Sequence, residues 1–110
     1  MPGSPRMTLP TQRVLAVLLA APAEEKYGLE ICAESKLPSG TIHPILARLE
    51  GVGWLESRWE DIDPRLEGRP RRRYYRLTSD GIELARAALH GVETRNTRWS
   101  LRPGFADGAL

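Results

Sequence analysis

One cysteine, Cys32, in 110 residues rules out an internal disulfide and fits a reducing compartment. The longest apolar run, residues 14–22, is far short of the roughly 20 residues a membrane span needs. Residues 1–6 show no apolar stretch behind a basic start, so no secretion signal is read. The expectation is a cytoplasmic protein without membrane contact. The two histidines, His43 and His90, lie far apart and lack ligand spacing, so neither a metal nor any other cofactor is expected. There is no glycine-rich phosphate loop, no nucleophile motif and no paired-carboxylate arrangement, so no enzymatic activity is assigned. The net charge is only +2, which by itself says little about nucleic acid; the placement of the charges says more.

What is present is the composition of a globular chain, 41% hydrophobic and 27% charged, of a length that suits one domain with a single modest core. No repeat and no second domain is found. Residues 1–10, with three prolines and a glycine, read as a flexible arm. A first helix over 11–21 places Val14, Leu15, Leu18 and Leu19 on one face, with Thr11 as its cap and Pro22 as its stop. Residues 23–26 form a polar link. A second helix over 27–35 turns Tyr27, Ile31 and Cys32 inward. After a turn at 36–38, Ser39 caps a third helix reaching about Glu50, where Ile42, Ile45, Leu46 and Leu49 form a single apolar stripe and Gly51 and Gly53 end it. Pro44 inside this helix is a local conflict that eases if the helix starts near Gly40 or Thr41.

Residues 55–60 alternate, with Leu55, Ser57 and Trp59 on one side, and residues 71–77 alternate again, with Arg73, Tyr75 and Leu77 on one face. The loop 61–70 between them makes a β-hairpin with a long tip. Trp54 and Trp59 are read as core and hairpin packing. Thr78 caps a fourth helix with Ile82, Ala85, Leu89, Val92, Asn96 and Trp99 at heptad spacing, ended by Pro103. The predicted fold is mainly α with a small β-hairpin: a winged helix-turn-helix with a C-terminal dimerisation helix. The expected organisation is an arm (1–10), a winged helix DNA-binding domain (11–78), a dimerisation helix (79–102) and a tail (103–110).

Two surfaces point to DNA. Arg69, Arg71, Arg72, Arg73 and Arg76 fall within eight residues, interleaved with Tyr74 and Tyr75. Guanidinium groups pair bidentately with phosphates and fit a narrow minor groove. The plainer reading is a solvated strand whose arginines pair with Glu56, Glu60, Asp61, Asp63 and Glu67. On the third helix, an inward apolar stripe turns Gly40, Pro44 and Ala47 outward, flanked by Thr41, His43 and Arg48. Small outward residues allow close approach to a groove; Ser39, Thr41 and His43 can donate to phosphates or base edges, and Arg48 can reach a phosphate or a guanine. Ser39 and Thr41 are alternatively caps, and His43 a surface histidine. On the fourth helix, Leu89, Val92, Asn96 and Trp99 read as a dimer surface, against the alternative that its first half packs on its own domain and the rest frays at Gly91. Trp99, with Val92, is either an interface anchor or a stacking platform for a flat effector. Cys32 reads as a buried structural thiol rather than a redox sensor.

Several separated motifs over residues 12–95, in one order, resemble the PadR family of bacterial regulators. They are Tyr27-Gly28-Leu29-Glu30-Ile31, Gly40-Thr41-Ile42-His43-Pro44-Ile45-Leu46-Ala47-Arg48-Leu49-Glu50, Gly53-Trp54-Leu55-Glu56-Ser57-Arg58-Trp59-Glu60, and Gly68-Arg69-Pro70-Arg71-Arg72-Arg73-Tyr74-Tyr75-Arg76-Leu77-Thr78, closing on Gly81. The resemblance implies a homodimer formed mainly through the last helix, binding double-stranded DNA at inverted-repeat operators, usually as a repressor. It also implies a small-molecule effector, often aromatic or cationic, whose binding releases DNA. In the short subgroup that this chain resembles, such ligands sit between the subunits against aromatic side chains of the last helix, the place Trp99 would take. His43 stands where the family commonly has tyrosine.

Overall fold

The computed structural model describes residues 5–100, with side chains as far as residue 95. The elements follow in the order α1 (Leu9–Ala20), β1 (Lys26–Tyr27), α2 (Gly28–Ser35), α3 (Ser39–Gly51), β2 (Leu55–Trp59), α4 (Pro64–Glu67), β3 (Arg73–Leu77) and α5 (Ser79–Ser100). The three strands form one antiparallel sheet in the order β1-β3-β2. The predicted fold class holds: three helices, a hairpin and a long closing helix.

Helix α1 starts earlier than the sequence suggests. Thr8, not Thr11, is its cap: the Thr8 hydroxyl oxygen accepts from the Thr11 amide at 3.3 Å. Pro10 is no obstacle because a first-turn proline surrenders an amide that has no intrahelical partner. Thr11 is thereby drawn inside and buried. Strand β1 takes the last residue of the segment read as a polar link and the first of the predicted second helix: Lys26 pairs with Tyr75 and Tyr27 with Tyr74. Lys26 is 8% exposed, and its ammonium is held by Glu34 at 3.0 Å and Glu24 at 3.6 Å. Tyr27 is the cap residue of α2, its amide donating to Glu30 Oε1 at 3.1 Å.

Ser39 is the first residue of α3 rather than its cap. The Pro38 carbonyl fills that role, accepting from Thr41 and Ile42 at 3.0 and 3.1 Å. Pro44 therefore lies inside the helix, and the carbonyl of Gly40 loses its intrahelical donor. Both residues are exposed, so water can serve that carbonyl. Gly53, at φ +82°, supplies the left-handed turn that swings the chain from α3 into β2. The loop between the strands holds a single helical turn, α4, capped by Asp63, whose carboxylate accepts from the Arg65 amide at 2.9 Å.

The core joins Val14, Leu15 and Leu18 of α1, Ile31 of α2, and Ile42, Ile45, Leu46 and Leu49 of α3 to Trp54, Leu55, Leu77 and Ala85. Thr78 caps α5 as expected: its hydroxyl accepts from the Gly81 amide at 2.9 Å and donates to the Gly53 carbonyl at 2.8 Å. Ile82, Ala88 and Leu89 pack partly buried against the core, so the first half of the heptad seam serves its own domain. Leu84 stays 47% exposed and Val92 is half-buried. The side chains of Asn96 and Trp99, and Pro103, lie outside the described residues.

Candidate nucleic-acid interface

Helix α3 presents the face the sequence predicts. Ser39, Gly40, His43, Pro44, Ala47 and Arg48 are exposed and Thr41 is half-buried, while the four residues of the apolar stripe are buried. Among these outward residues only Arg48 carries a fixed charge. The strong positive charge comes from the root of the hairpin's loop, where β2 ends and β3 begins, and the chain spends part of it internally.

Glu60 organises that root. Arg69 donates from both guanidinium nitrogens to the two carboxylate oxygens at 2.7 and 2.9 Å. The Arg72 amide adds a third bond at 3.1 Å, and the Glu60 amide returns one to the Arg72 carbonyl at 2.8 Å. The Arg69 guanidinium, with help from the Arg72 amide, holds the Glu60 carboxyl down to about 2. Arg76 is likewise engaged by Glu56, at 2.6 and 3.0 Å. Arg58 is engaged by Glu25, whose carboxyl it holds below the usual range.

Arg71 and Arg72 have no carboxylate partner among the described residues, and Arg73 is held only loosely. Arg71 anchors its Nε on the Ile62 carbonyl at 2.9 Å. Arg72 lies over the Tyr27 ring at 4.3 Å. Arg73 lies over the Trp59 ring at 5.0 Å and 3.6 Å from Glu50. Of the carboxylates named as competitors from sequence, Glu56 and Glu60 pair with arginines, whereas Asp61, Asp63 and Glu67 make no such pair among the described residues. Those three are exposed at the hairpin tip, so the tip is acidic and the root basic.

Between α3 and the hairpin lies a groove of about 490 Å³. It brings together Ser39 and His43 of α3 with Arg69, Arg71, Arg72 and Arg73. Gly40, Thr41, Pro44 and Arg48 do not line it. The groove also contains residues that sequence reasoning did not place there: Tyr27, Leu29, Cys32, Trp59 and Tyr75. Trp59, expected to pack within the hairpin, is 57% exposed at the loop end of the β2–β3 ladder, opposite Arg73. Cys32 is half-buried in the groove wall. Among the described residues no group of side chains has the makings of a metal site, and no helix is long and apolar enough to cross a membrane.

A helix-turn-helix followed by a β-hairpin whose root is basic, both bordering one groove, defines a winged helix-turn-helix. The family model for the transcriptional regulator PadR-like family matches residues 14–87. The chain belongs to the PadR-like family, which places it among DNA-binding transcriptional regulators rather than enzymes. Solved structures share the fold. A PadR-like transcription factor from Bacteroides fragilis superposes with a TM-score of 0.66 at 23% identity, over 84% of this chain and 87% of that one. A PadR family transcription regulator from Clostridium difficile gives 0.60 at 21%, over 84% and 98%. A MarR family regulator from Silicibacter pomeroyi gives 0.55 at 22%, over 84% of this chain and 59% of that one. The comparison with curated proteins returns no match.

Proposed function

We propose that the chain is a cytoplasmic, sequence-specific repressor that binds an inverted-repeat operator as a homodimer. Each protomer sets α3 into a major groove, with Gly40, Pro44 and Ala47 allowing close approach and Ser39, Thr41, His43 and Arg48 contacting base edges or phosphates. Arg71, Arg72 and Arg73 grip the flanking backbone, with Arg69 fixing the hairpin root. One observation carries this reading: Ser39 and His43 of α3 and the arginines without a close carboxylate partner, Arg71 and Arg72, border the same groove. The acidic tip favours a grip at the root over insertion of the tip into a minor groove, since its exposed carboxylates would face phosphates there. The end of α5, with Val92, Asn96 and Trp99 and the part of Leu89 that the core leaves uncovered, serves as the dimer surface, and a small-molecule effector releases DNA. Placing that effector against Val92 and Trp99 rests on a side chain outside the described residues.

Selection of sites from random duplex DNA tests the reading. Enrichment of an inverted repeat with half-sites about one helical turn apart, bound more weakly as salt rises, is the expected result. No enrichment, with no salt-dependent affinity for any duplex, would overturn it in favour of a winged helix that serves a protein partner.

A further inference from the structure

His43 lines the groove between α3 and the hairpin with no anion to face. It is exposed on α3, and a Cβ on Gly28 would stand 3.4 Å from its Cε1, so the imidazole lies against the first turn of α2. The polar groups that share the groove with it are neutral or positive. Tyr27 and Cys32 come from β1 and α2, Ser39 from α3 itself and Tyr75 from β3. The hairpin adds Arg69, Arg71, Arg72 and Arg73. Among the described residues no carboxylate lines the groove. The acids of the neighbouring elements are engaged elsewhere: Glu30 by the Tyr27 amide, Glu50 by the Ser57 hydroxyl and Glu60 by Arg69.

We propose that His43 meets a DNA phosphate as an imidazolium, so that each protomer takes up a proton when it binds DNA. The inference rests on the DNA-binding reading above and adds to it a dependence on pH. An imidazole changes charge between about pH 5 and 8, and a phosphate beside it favours the charged form. In the free chain the groove offers an imidazolium no partner; in the complex it offers phosphate oxygens. The charged form is therefore favoured more in the complex than in the free chain. Affinity then rises as the pH falls through the imidazole range, and levels off once both states are protonated. Guanidinium groups stay charged throughout this range, so the neighbouring arginines cannot supply the dependence. The other histidine, His90, is exposed on α5 and does not line the groove.

The probe is a fluorescent duplex carrying the repeat enriched from random DNA, titrated with the full chain over a series of salt concentrations at about pH 8 and about pH 5.5. The parent should bind about tenfold more tightly at the lower pH, with a salt slope steeper by about one per protomer. His43→Gln should lose both changes, and His90→Gln neither. His43→Lys carries its charge at both pH values and should bind at the higher pH as the parent binds at the lower, a gain that damage to the fold cannot produce. In the isotope-labelled parent, the His43 imidazole should titrate at higher pH in the complex than in the free chain. Parent affinity that ignores pH, a pH response that survives undiminished in His43→Gln, or a His43 titration that DNA leaves unmoved would overturn the inference and spare the regulator reading. Absence of affinity for any duplex at both pH values would sink the two together.

Discussion

Glu60 is the acidic residue on which the geometry of the basic hairpin depends. Its carboxylate takes both nitrogens of Arg69 and the amide of Arg72, which fixes where β3 begins and so where Arg71, Arg72 and Arg73 emerge. Its carboxyl titrates at about 2 in the folded chain against an ordinary value of 4.5. The carboxylate's stabilising contribution is therefore complete above pH 4.5 and is lost as the pH falls through about 2. Glu60→Gln should flatten this dependence, so the melting temperature of the parent should fall more steeply than the variant's between those two values. Equal slopes would show the carboxylate to be idle. The same geometry separates two arginines that look equivalent in sequence. In the proposed complex Arg72→Gln removes a phosphate contact, so the slope of log affinity against log salt should become shallower by about one. Arg69→Gln disturbs the root while removing no contact; it should weaken binding with the slope unchanged. A reduced slope for Arg69→Gln would make Arg69 a DNA contact after all.

At the level of elements, the junction of β2 and α5 leaves no room for a side chain at Gly81. A Cβ on Gly81 would sit 2.0 Å from the Trp54 carbonyl oxygen, while Thr78 binds Gly53 with its hydroxyl and Trp54 with its amide. Backbone cannot yield there as a flexible side chain would, so Gly81→Ala should destabilise by about 1–3 kcal/mol or more, read as a lowered melting temperature. Gly91→Ala is the contrast. Its Cβ would meet only the end of the Arg95 side chain, at 3.6 Å, so helix propensity decides and the change should stabilise by about 0.5–1 kcal/mol. If both substitutions moved stability alike, the close approach at Trp54 would be refuted. These elements also show what a sequence can reveal. The stripe of α3, the alternation of the two long strands and the Thr78 cap are periodic or local, and all were legible. Strand β1 has two residues and therefore no period. Thr8 and Thr11 are equally good caps in isolation, and Ser39 lost its role to a carbonyl, which no side-chain rule sees. The groove draws on β1, α2, α3, β2, β3 and the approach to β3. Alternation placed Trp59 on the side of Leu55 and carries no information about the rise in exposure from Leu55 to Trp59 along that side.

At the level of the whole molecule, a net charge of +2 and a single exposed helix face are thin means for selecting one operator. In the proposed dimer two protomers double both, so α5, the proposed contact, decides the function. The helix runs about 33 Å at 1.5 Å per residue. Ile82, Ala85 and Leu89 commit its first half to the core, while Leu84 remains 47% exposed and Val92 half-buried. Leu84, Ala88 and Gly91, at steps of four and three, form a strip beside the predicted seam that the heptad reading left out. A second copy of α5 covering both strips would bury Leu84 and Val92 together. The double variant Leu84→Glu, Val92→Glu places charges in that contact while leaving the fully buried Ala85 and the hairpin untouched. It should sediment as a monomer with a parent-like circular dichroism spectrum. The monomer should bind an operator half-site with about half the parent's salt slope, because it carries half the phosphate contacts. If the variant stays dimeric, the protomers meet elsewhere. If it becomes monomeric and keeps the parent's slope, one protomer already makes all the contacts, and the inverted repeat is not what the protein reads.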